Sequence, residues 1–574
     1  MTRFVAWWQT DSGRRSDRPC PVQGNRGIDR RCGRRGTFGW SRASPNFASS
    51  HRGCGHRVRA FALRRGCEAA KQELTDRHGP TYAPILDVYL LMHGDALLID
   101  ATSEAIRNDR INAEWALSKV TERLKKPLLE DASSYFQERA RDIEHVREHL
   151  LRHLRGERRT ECSTEGPTVL IAHDLTPADA VHMLAPPTVG LVTEAGAGSS
   201  HTAILARTFG VPAVVGVGPL AAHIDDDDVV LVDGFAGEVA VRVSPDERRT
   251  AEQRRDRFAA FLEAERTTSA MTRDGVSISV AANLELPNDV QAALENGAEG
   301  IGLYRTEFMC LDSLEPPSEE AQLEVYRGVV EAMAPKRVVF RTFDWRGDKR
   351  LRARDVKQRE RGWLTTQINA VLRASTEGQV ALMFPMVSTV DEFRAARAMV
   401  DRCRSQLSDE RARTAEVPIG MMVEVPAAAL LAERFTEYAD FFAVGTNDLA
   451  HYTLAFDHRD NRSAMQSLDP AVLNLLQRII AAASDAQLPC SMCGDLAADP
   501  VALCLALGLG YREISVPVSV VPLARAVIRN VDLHTATEVA RDALGCGSAE
   551  AVREMVVDRL DDDLGPLWRE QGIV

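Results

Sequence analysis

The chain is predicted to be an α/β protein of several domains ending in a (βα)8 barrel, and three observations predict it. Its 574 residues exceed what one hydrophobic core serves, and an apolar content of 45% is ample for more than one. Between Ile278 and Pro517 eight short apolar runs recur, each followed by a helical pattern, the arrangement that closes a parallel barrel. Ahead of them, short strands alternate with helices around a glycine-rich loop, which predicts a compact α/β domain.

Residues 1–66 carry Arg at fifteen positions, Asp at 11, 17 and 29, and neither Lys nor Glu, a local net charge of +12 in a chain whose total is -12. The segment lacks the apolar core of a secretory signal and shows little periodicity between Thr10 and Arg57. It reads as disordered, either a basic tail or residues translated from the wrong start or frame. From 67 to 160 apolar residues recur at three and four, as in Ile111-Trp115 and Phe136-Ala140-Ile143-Val146-Leu150, which predicts antiparallel helices. Carboxylates at Glu130, Asp131, Glu138, Asp142, Glu144 and Glu148 present an acidic face to a basic partner, or simply a solvated one.

The α/β domain spans 161–244, with strands expected at Thr168–Ala172, 189–192, 212–216, 229–234 and Glu238–Val241. The charged, glycine-poor run at 245–270 predicts a helical linker, and the barrel occupies 271–574. Its strands are expected at 278–283, 300–305, 338–344, 380–386, 419–425, 441–448, 489–495 and 513–517. An acidic pI near 5.7 argues against nucleic acid as a partner, and no apolar run approaches membrane-spanning length. The eleven cysteines contain one C-x-x-C pair, Cys490 and Cys493, with no second cluster to complete a zinc site. Scattered thiols without an export signal point to the cytoplasm.

Five groups of residues carry candidate chemistry. His201 stands where the loop Gly196-Ala197-Gly198-Ser199-Ser200 turns into a helix, so free N–H groups and the helix dipole favour an added phosphate there; the alternative is an ordinary first-turn residue. Arg305 and Arg341 each end an apolar strand, where a phosphate or carboxylate ligand satisfies them, or else a salt bridge to Glu307 or Asp344. Glu424 and Asp448 end what should be neighbouring strands, a pair suited to Mg²⁺, to general acid/base work, or to separate structural roles. Asn447 lies beside Asp448. Cys493 ends a strand next to a glycine, placed to give or take a proton, or simply packed.

Together, Ser200-His201-Thr202-Ala203-Ile204-Leu205-Ala206-Arg207, the run from Gly300 to Phe308, the run from Gly445 to Leu449 and Met492-Cys493-Gly494 resemble the phosphoenolpyruvate-protein phosphotransferase family, enzyme I of the sugar phosphotransferase system. The resemblance runs from about Glu68 to the C-terminus. It implies an α/β phosphohistidine domain with an inserted helical subdomain that binds the small carrier HPr, and a barrel that binds phosphoenolpyruvate and forms a homodimer. His201 would take the phosphoryl group on Nε2 and pass it to a histidine of HPr. Arg305, Arg341 and Arg459 would hold the substrate with Asn447 and Asp448, Glu424 and Asp448 would bind Mg²⁺, and Cys493 would protonate the enolate to pyruvate. The connector would let the His201 domain swing between the barrel mouth and HPr.

The chain departs from the family pattern in three places. No arginine precedes His201 in its loop; a Gly-x-Arg-Ala-Ile-Arg run is missing after Lys349, where Arg361-Gly362-Trp363-Leu364 leads into a helix expected over 365–374; and Asp457-His458-Arg459-Asp460-Asn461 is one residue longer than usual, so His458 or Arg459 fills the arginine slot. Arg354, Arg359 or Arg361 is expected to replace the missing arginine only if the loop refolds. Two further readings stand beside an active phosphotransferase: a degenerate homologue that docks HPr without transfer, and a relative of phosphoenolpyruvate synthase or pyruvate phosphate dikinase. The residues before His201 are too few and too helical for the ATP-binding domain that last reading needs.

Overall fold

The computed structural model describes residues 23–26, 96–130, 134–155, 166–175, 180, 183–184, 187–196, 201–208, 210–225, 228–234, 237–310, 317–343, 356–409, 413–455 and 467–571. The chain divides into two compact units, one ending at Val243 and the other beginning at Ser244.

In the first unit three helices, Ala96–Asp109, Ala113–Glu130 and Ser134–Arg155, pack in succession. Their inward positions, Leu98, Ile106, Leu117, Val120, Val146 and Leu150, are buried together, each worth about 1.5–3 kcal/mol of burial. Asn112 caps the second helix through its Oδ1, which accepts the Trp115 N–H at 3.0 Å. Of the acidic positions expected to face a partner, Glu144 is engaged within the bundle. Buried Lys125 and Arg147 both pair with it. The side chains of Glu130, Asp131, Glu138 and Asp142 lie outside the described residues.

The same unit carries a parallel sheet of β1 (Gln23–Arg26), β2 (Thr168–Ala172), β3 (Thr188–Thr193) and β4 (Ala213–Val215), in that order. Its faces separate with the strand period: Leu170, Leu191 and Leu205 pack on one side, Val169, Ile171, Val192 and Ile224 on the other. An antiparallel pair, β5 (Val230–Asp233) and β6 (Glu238–Val241), completes the unit. Within the Arg-rich leader, Gln23–Arg26 forms the edge strand β1. Gln23-Gly24-Asn25-Arg26 has no strand-forming side chains, but an edge strand needs only backbone pairing, here Gln23 to Thr168 through Arg26 to Ile171.

The second unit opens with the helix Pro245–Glu265, started by a capping box between Ser244 and Glu247 and a proline at its first turn. Its far end is tied to the barrel: Arg529 pairs with Glu265 at 2.8 Å, and Arg525 donates to the Arg266 and Thr268 carbonyls at 2.8 and 2.9 Å. The barrel strands are β7 (Ser279–Leu284), β8 (Ile301–Arg305), β9 (Val338–Arg341), β10 (Val380–Phe384), β11 (Ile419–Val423), β12 (Phe442–Gly445), β13 (Cys490–Cys493) and β14 (Glu513–Pro517). All neighbours are parallel and β14 closes onto β7, so the expected eight-stranded barrel is present. Leu303, Val339, Met383, Met422, Phe441 and Cys493 are among the residues filling its interior.

Two local expectations change. Asn447 and Asp448 do not end a strand but lie in the first turn of the helix Thr446–Leu454, because β12 stops at Gly445. The helix expected over 365–374 begins at Val356, since buried Ile368, Val371 and Leu372 supply a stripe strong enough to carry it through Gly362.

Candidate active site

Strand closure places the candidate side chains. Arg305 and Arg341 are the last residues of β8 and β9 and stand opposite each other in register. Like charges brought to neighbouring strand ends repel, so each guanidinium needs an anion. Arg305 Nη1 meets Glu285 Oε1 at 2.9 Å, and Arg341 Nη2 meets Glu307 Oε1 at 2.5 Å. The predicted bridge from Arg341 to Glu307 is therefore present, whereas Arg305 uses a carboxylate that sequence reasoning missed. Glu285 follows β7 directly, and its position just past a strand end was the available signal. The carboxylates do not exhaust the arginines' capacity: the buried Arg305 Nε has no acceptor among the described residues. An oxyanion with several oxygens supplies such acceptors.

Glu424 follows β11 and is 1% exposed. Its Oε1 accepts the Met386 N–H at 2.6 Å. Met386 is held at φ 55, a left-handed conformation rare for a residue with a side chain. The other oxygen, Oε2, lies over Gly445, where any Cβ would stand 2.8 Å away, so glycine is required at 445 for space. Glu424 and the half-buried Asp448 thus flank the end of β12. Among the described residues no group of three or more His, Cys, Asp or Glu side chains is placed to hold a metal. Two carboxylates nevertheless fit Mg²⁺, which takes few protein oxygens and completes its shell with water and substrate oxygens.

Cys493 ends β13, 1% exposed, with its Sγ 3.4 Å from the Val444 carbonyl oxygen. Burial, and then the charge of Glu424, push its thiol up to about 12, while Arg341 and Arg305 pull it back. Glu424, Arg341 and Arg305 thus all act on the Cys493 thiol, and the four residues stand at the ends of barrel strands or just past them. Asn447 joins them from the next helix: its Oδ1 accepts the Asp495 N–H at 2.8 Å, which leaves the NH₂ as the group able to reach a ligand.

In the first unit the helix His201–Thr208 starts at His201, the helix N-terminus the sequence predicts. Thr202 anchors it by donating to the buried Leu175 carbonyl at 3.0 Å. Glu194, just beyond β3, accepts the Leu220 and Ala221 N–H groups and pairs with His173. The His201 side chain, Asp344, the segment 344–355, His458 and Arg459 lie outside the described residues, as do the side chains of Arg359 and Arg361.

Family comparisons follow the same order along the chain. A model of the N-terminal region of PEP-utilising enzymes matches residues 58–139, their mobile domain matches 164–237, and their PEP-binding domain matches 260–533. The phosphoenolpyruvate-protein phosphotransferase of Geobacillus stearothermophilus is 37% identical over 512 residues, 85% of this chain and 88% of that protein. The chain belongs to the phosphoenolpyruvate-protein phosphotransferase family. A second member, from Staphylococcus aureus, is 36% identical over 518 residues, 85% of this chain and 91% of its own length. A solution structure titled as Enzyme I covers 35% of this chain and 85% of its own at 27% identity, with a TM-score of 0.31, an overlay too loose to carry structural weight. Within the family's PEP-binding domain lie Arg305, Arg341, Glu424, Asn447, Asp448 and Cys493, and within its mobile domain lies His201.

Proposed function

We propose that this enzyme transfers the phosphoryl group of phosphoenolpyruvate to His201 and from there to the histidine of HPr, releasing pyruvate as the first, sugar-independent step of the phosphotransferase system. The observation that carries the reading is the convergence of two strand-end arginines, a buried glutamate and a protonated buried thiol at one barrel mouth. Phosphoenolpyruvate brings a phosphate, a carboxylate and an enol carbon that must gain a proton, and these groups answer each of them.

Arg305 and Arg341 bind the phosphate and carboxylate, with Arg459 as a third cation and Asn447 donating through its NH₂. Glu424 and Asp448 hold Mg²⁺, which when bound neutralises charge on the phosphoryl oxygens. His201 Nε2 forms the new N–P bond as the bridging P–O bond breaks, and the electron pair stays with the enolate. Cys493 then gives its proton to the enolate carbon, and solvent restores the thiol. The raised thiol pKa keeps that proton in place throughout the neutral range.

HPr docks on the helical bundle of the first unit through acidic positions other than Glu144. Homodimerisation uses the barrel, where Leu430 at the end of one helix, Leu431 in the turn after it and Tyr452 on a neighbouring helix are 50%, 48% and 46% exposed. No helix of the described residues is long and apolar enough to cross a membrane, and the cytoplasm is the proposed location. The dikinase reading is not favoured, because the matched relatives are phosphoenolpyruvate-protein phosphotransferases.

Incubation with [³²P]phosphoenolpyruvate and Mg²⁺ tests the proposal. Acid-labile label on His201, passed on to added HPr, is the expected result. Binding of HPr without label would instead establish a docking homologue that performs no transfer.

A further inference from the structure

Beneath β8 and β9 runs a chain of polar side chains that the reaction itself does not use. Thr306, Gln322, Tyr326 and Gln367 are all 0% exposed, in a place where apolar residues would be the ordinary choice. Gln367, on the helix Val356–Ala374, donates through Nε2 to Thr306 Oγ1 at 2.9 Å and to Tyr326 Oη at 3.1 Å, and its Oε1 accepts the Phe343 N–H at 2.9 Å. Thr306 Oγ1 donates to the Arg341 carbonyl at 2.7 Å, and Tyr326 Oη donates to Gln322 Oε1 at 3.2 Å.

The polarity of this chain has one solution. The Phe343 N–H can only donate, which fixes the carbonyl end of the Gln367 amide and turns both of its N–H groups toward the two hydroxyls. Each hydroxyl, already accepting, must donate onward, and for Thr306 the acceptor is the backbone of Arg341. One buried amide therefore grips the stretch 341–343 from both sides, through Thr306 at its first residue and directly at its last. Thr306 is also the residue next to Arg305.

We propose that Gln367 is a positioning residue that sets where the Arg305 and Arg341 side chains leave their strands, and so their fit to the two anionic groups of the substrate. This rests on the reading of the two arginines as the phosphoenolpyruvate clamp. A fully satisfied buried network specifies a single geometry, and loss of one link leaves the others unpaired.

The test uses the full-length enzyme with Mg²⁺ and HPr. Gln367→Met keeps length and removes the amide; Thr306→Val removes the hydroxyl; Thr306→Ser keeps it. Expected are a KM for phosphoenolpyruvate raised by about ten- to a hundredfold in Gln367→Met and Thr306→Val, near wild-type behaviour in Thr306→Ser, and a double variant no worse than the poorer single one. Transfer between phospho-HPr and His201, which does not use the barrel clamp, should keep its wild-type rate in all four variants. Should Gln367→Met fail to fold, the Thr306 pair decides. A wild-type KM in Gln367→Met or Thr306→Val, or fully additive effects, overturns the inference alone. A wild-type enzyme that neither binds nor is labelled by phosphoenolpyruvate overturns the reading of the site, and the inference with it.

Discussion

The two ends of the proposed phosphoryl path are built on different principles. His201 opens an eight-residue helix on a small sheet, and what would suit it to phosphate is local, a helix start after a glycine-rich run, with Thr202 bonded to the Leu175 carbonyl and Leu205 packed in the core. The barrel mouth has no local logic of that kind. Its arginines, Glu424 and Cys493 come from four different strands, and bonds to distant partners hold each in place: Met386 for Glu424, Val444 for Cys493, Asp495 for Asn447. A carrier that must meet two partners needs little surrounding structure, whereas a pocket that stabilises a changing charge distribution needs a great deal.

That contrast can be broken most decisively at its two poles. His201→Ala should abolish acid-labile labelling while phosphoenolpyruvate binding, followed by calorimetry, persists; retained label would place the carrier elsewhere. Glu424→Gln should do the reverse, cutting phosphoenolpyruvate-dependent labelling by about a thousandfold while exchange between phospho-HPr and His201 continues. Arg341→Lys keeps the charge but loses the planar fork, and should raise the KM for phosphoenolpyruvate about ten- to a hundredfold; an unchanged KM would make the residue a rim salt bridge to Glu307.

Smaller effects sharpen the picture. In Cys493→Ser, exchange of the pyruvate methyl protons into deuterated water on the phosphorylated enzyme should slow about a hundredfold. In the wild type the protonation of the enolate should be flat from pH 6 to 9, because the native thiol keeps its proton up to about 12. Asp289 provides the mildest case. Burial raises its carboxyl from 3.8 to about 6, with Glu285 adding to the effect and the Leu286 N–H opposing it. The native state thus holds a proton that the unfolded chain has released, so this residue lowers barrel stability progressively as pH rises from about 4 through 6. Asp289→Asn should flatten that stretch of the melting-temperature profile, and an unchanged slope would show that the carboxyl is normally ionised.

The sequence made the barrel legible because its strands are short, mostly apolar runs with polar residues at or just past several of their ends, as in Ile301–Arg305, Val338–Arg341 and Glu424 after Ile419–Val423, and strand ends are where such barrels do chemistry. What it hid was contact. Glu285, Met386, Thr306 and Gln367 carry no local signature, since their roles depend on partners 20, 38, 35 and 24 positions away. The start of the helix Val356–Ala374 was hidden for a related reason: Gly362 is a poor helix former, and the buried stripe of Ile368, Val371 and Leu372 outweighs it. Likewise Gln23–Arg26 has no side-chain reason to be a strand and takes its place through backbone pairing with β2.

A closed ring of eight strands has no free margin at which one staggered pairing could slide without disturbing all the others. Changes in chain length are thereby confined to the connecting loops, and Arg341 stays anchored between the strands on either side of it. Insertions and deletions between strands can accumulate while the depth of the strand ends in the ring is unaltered.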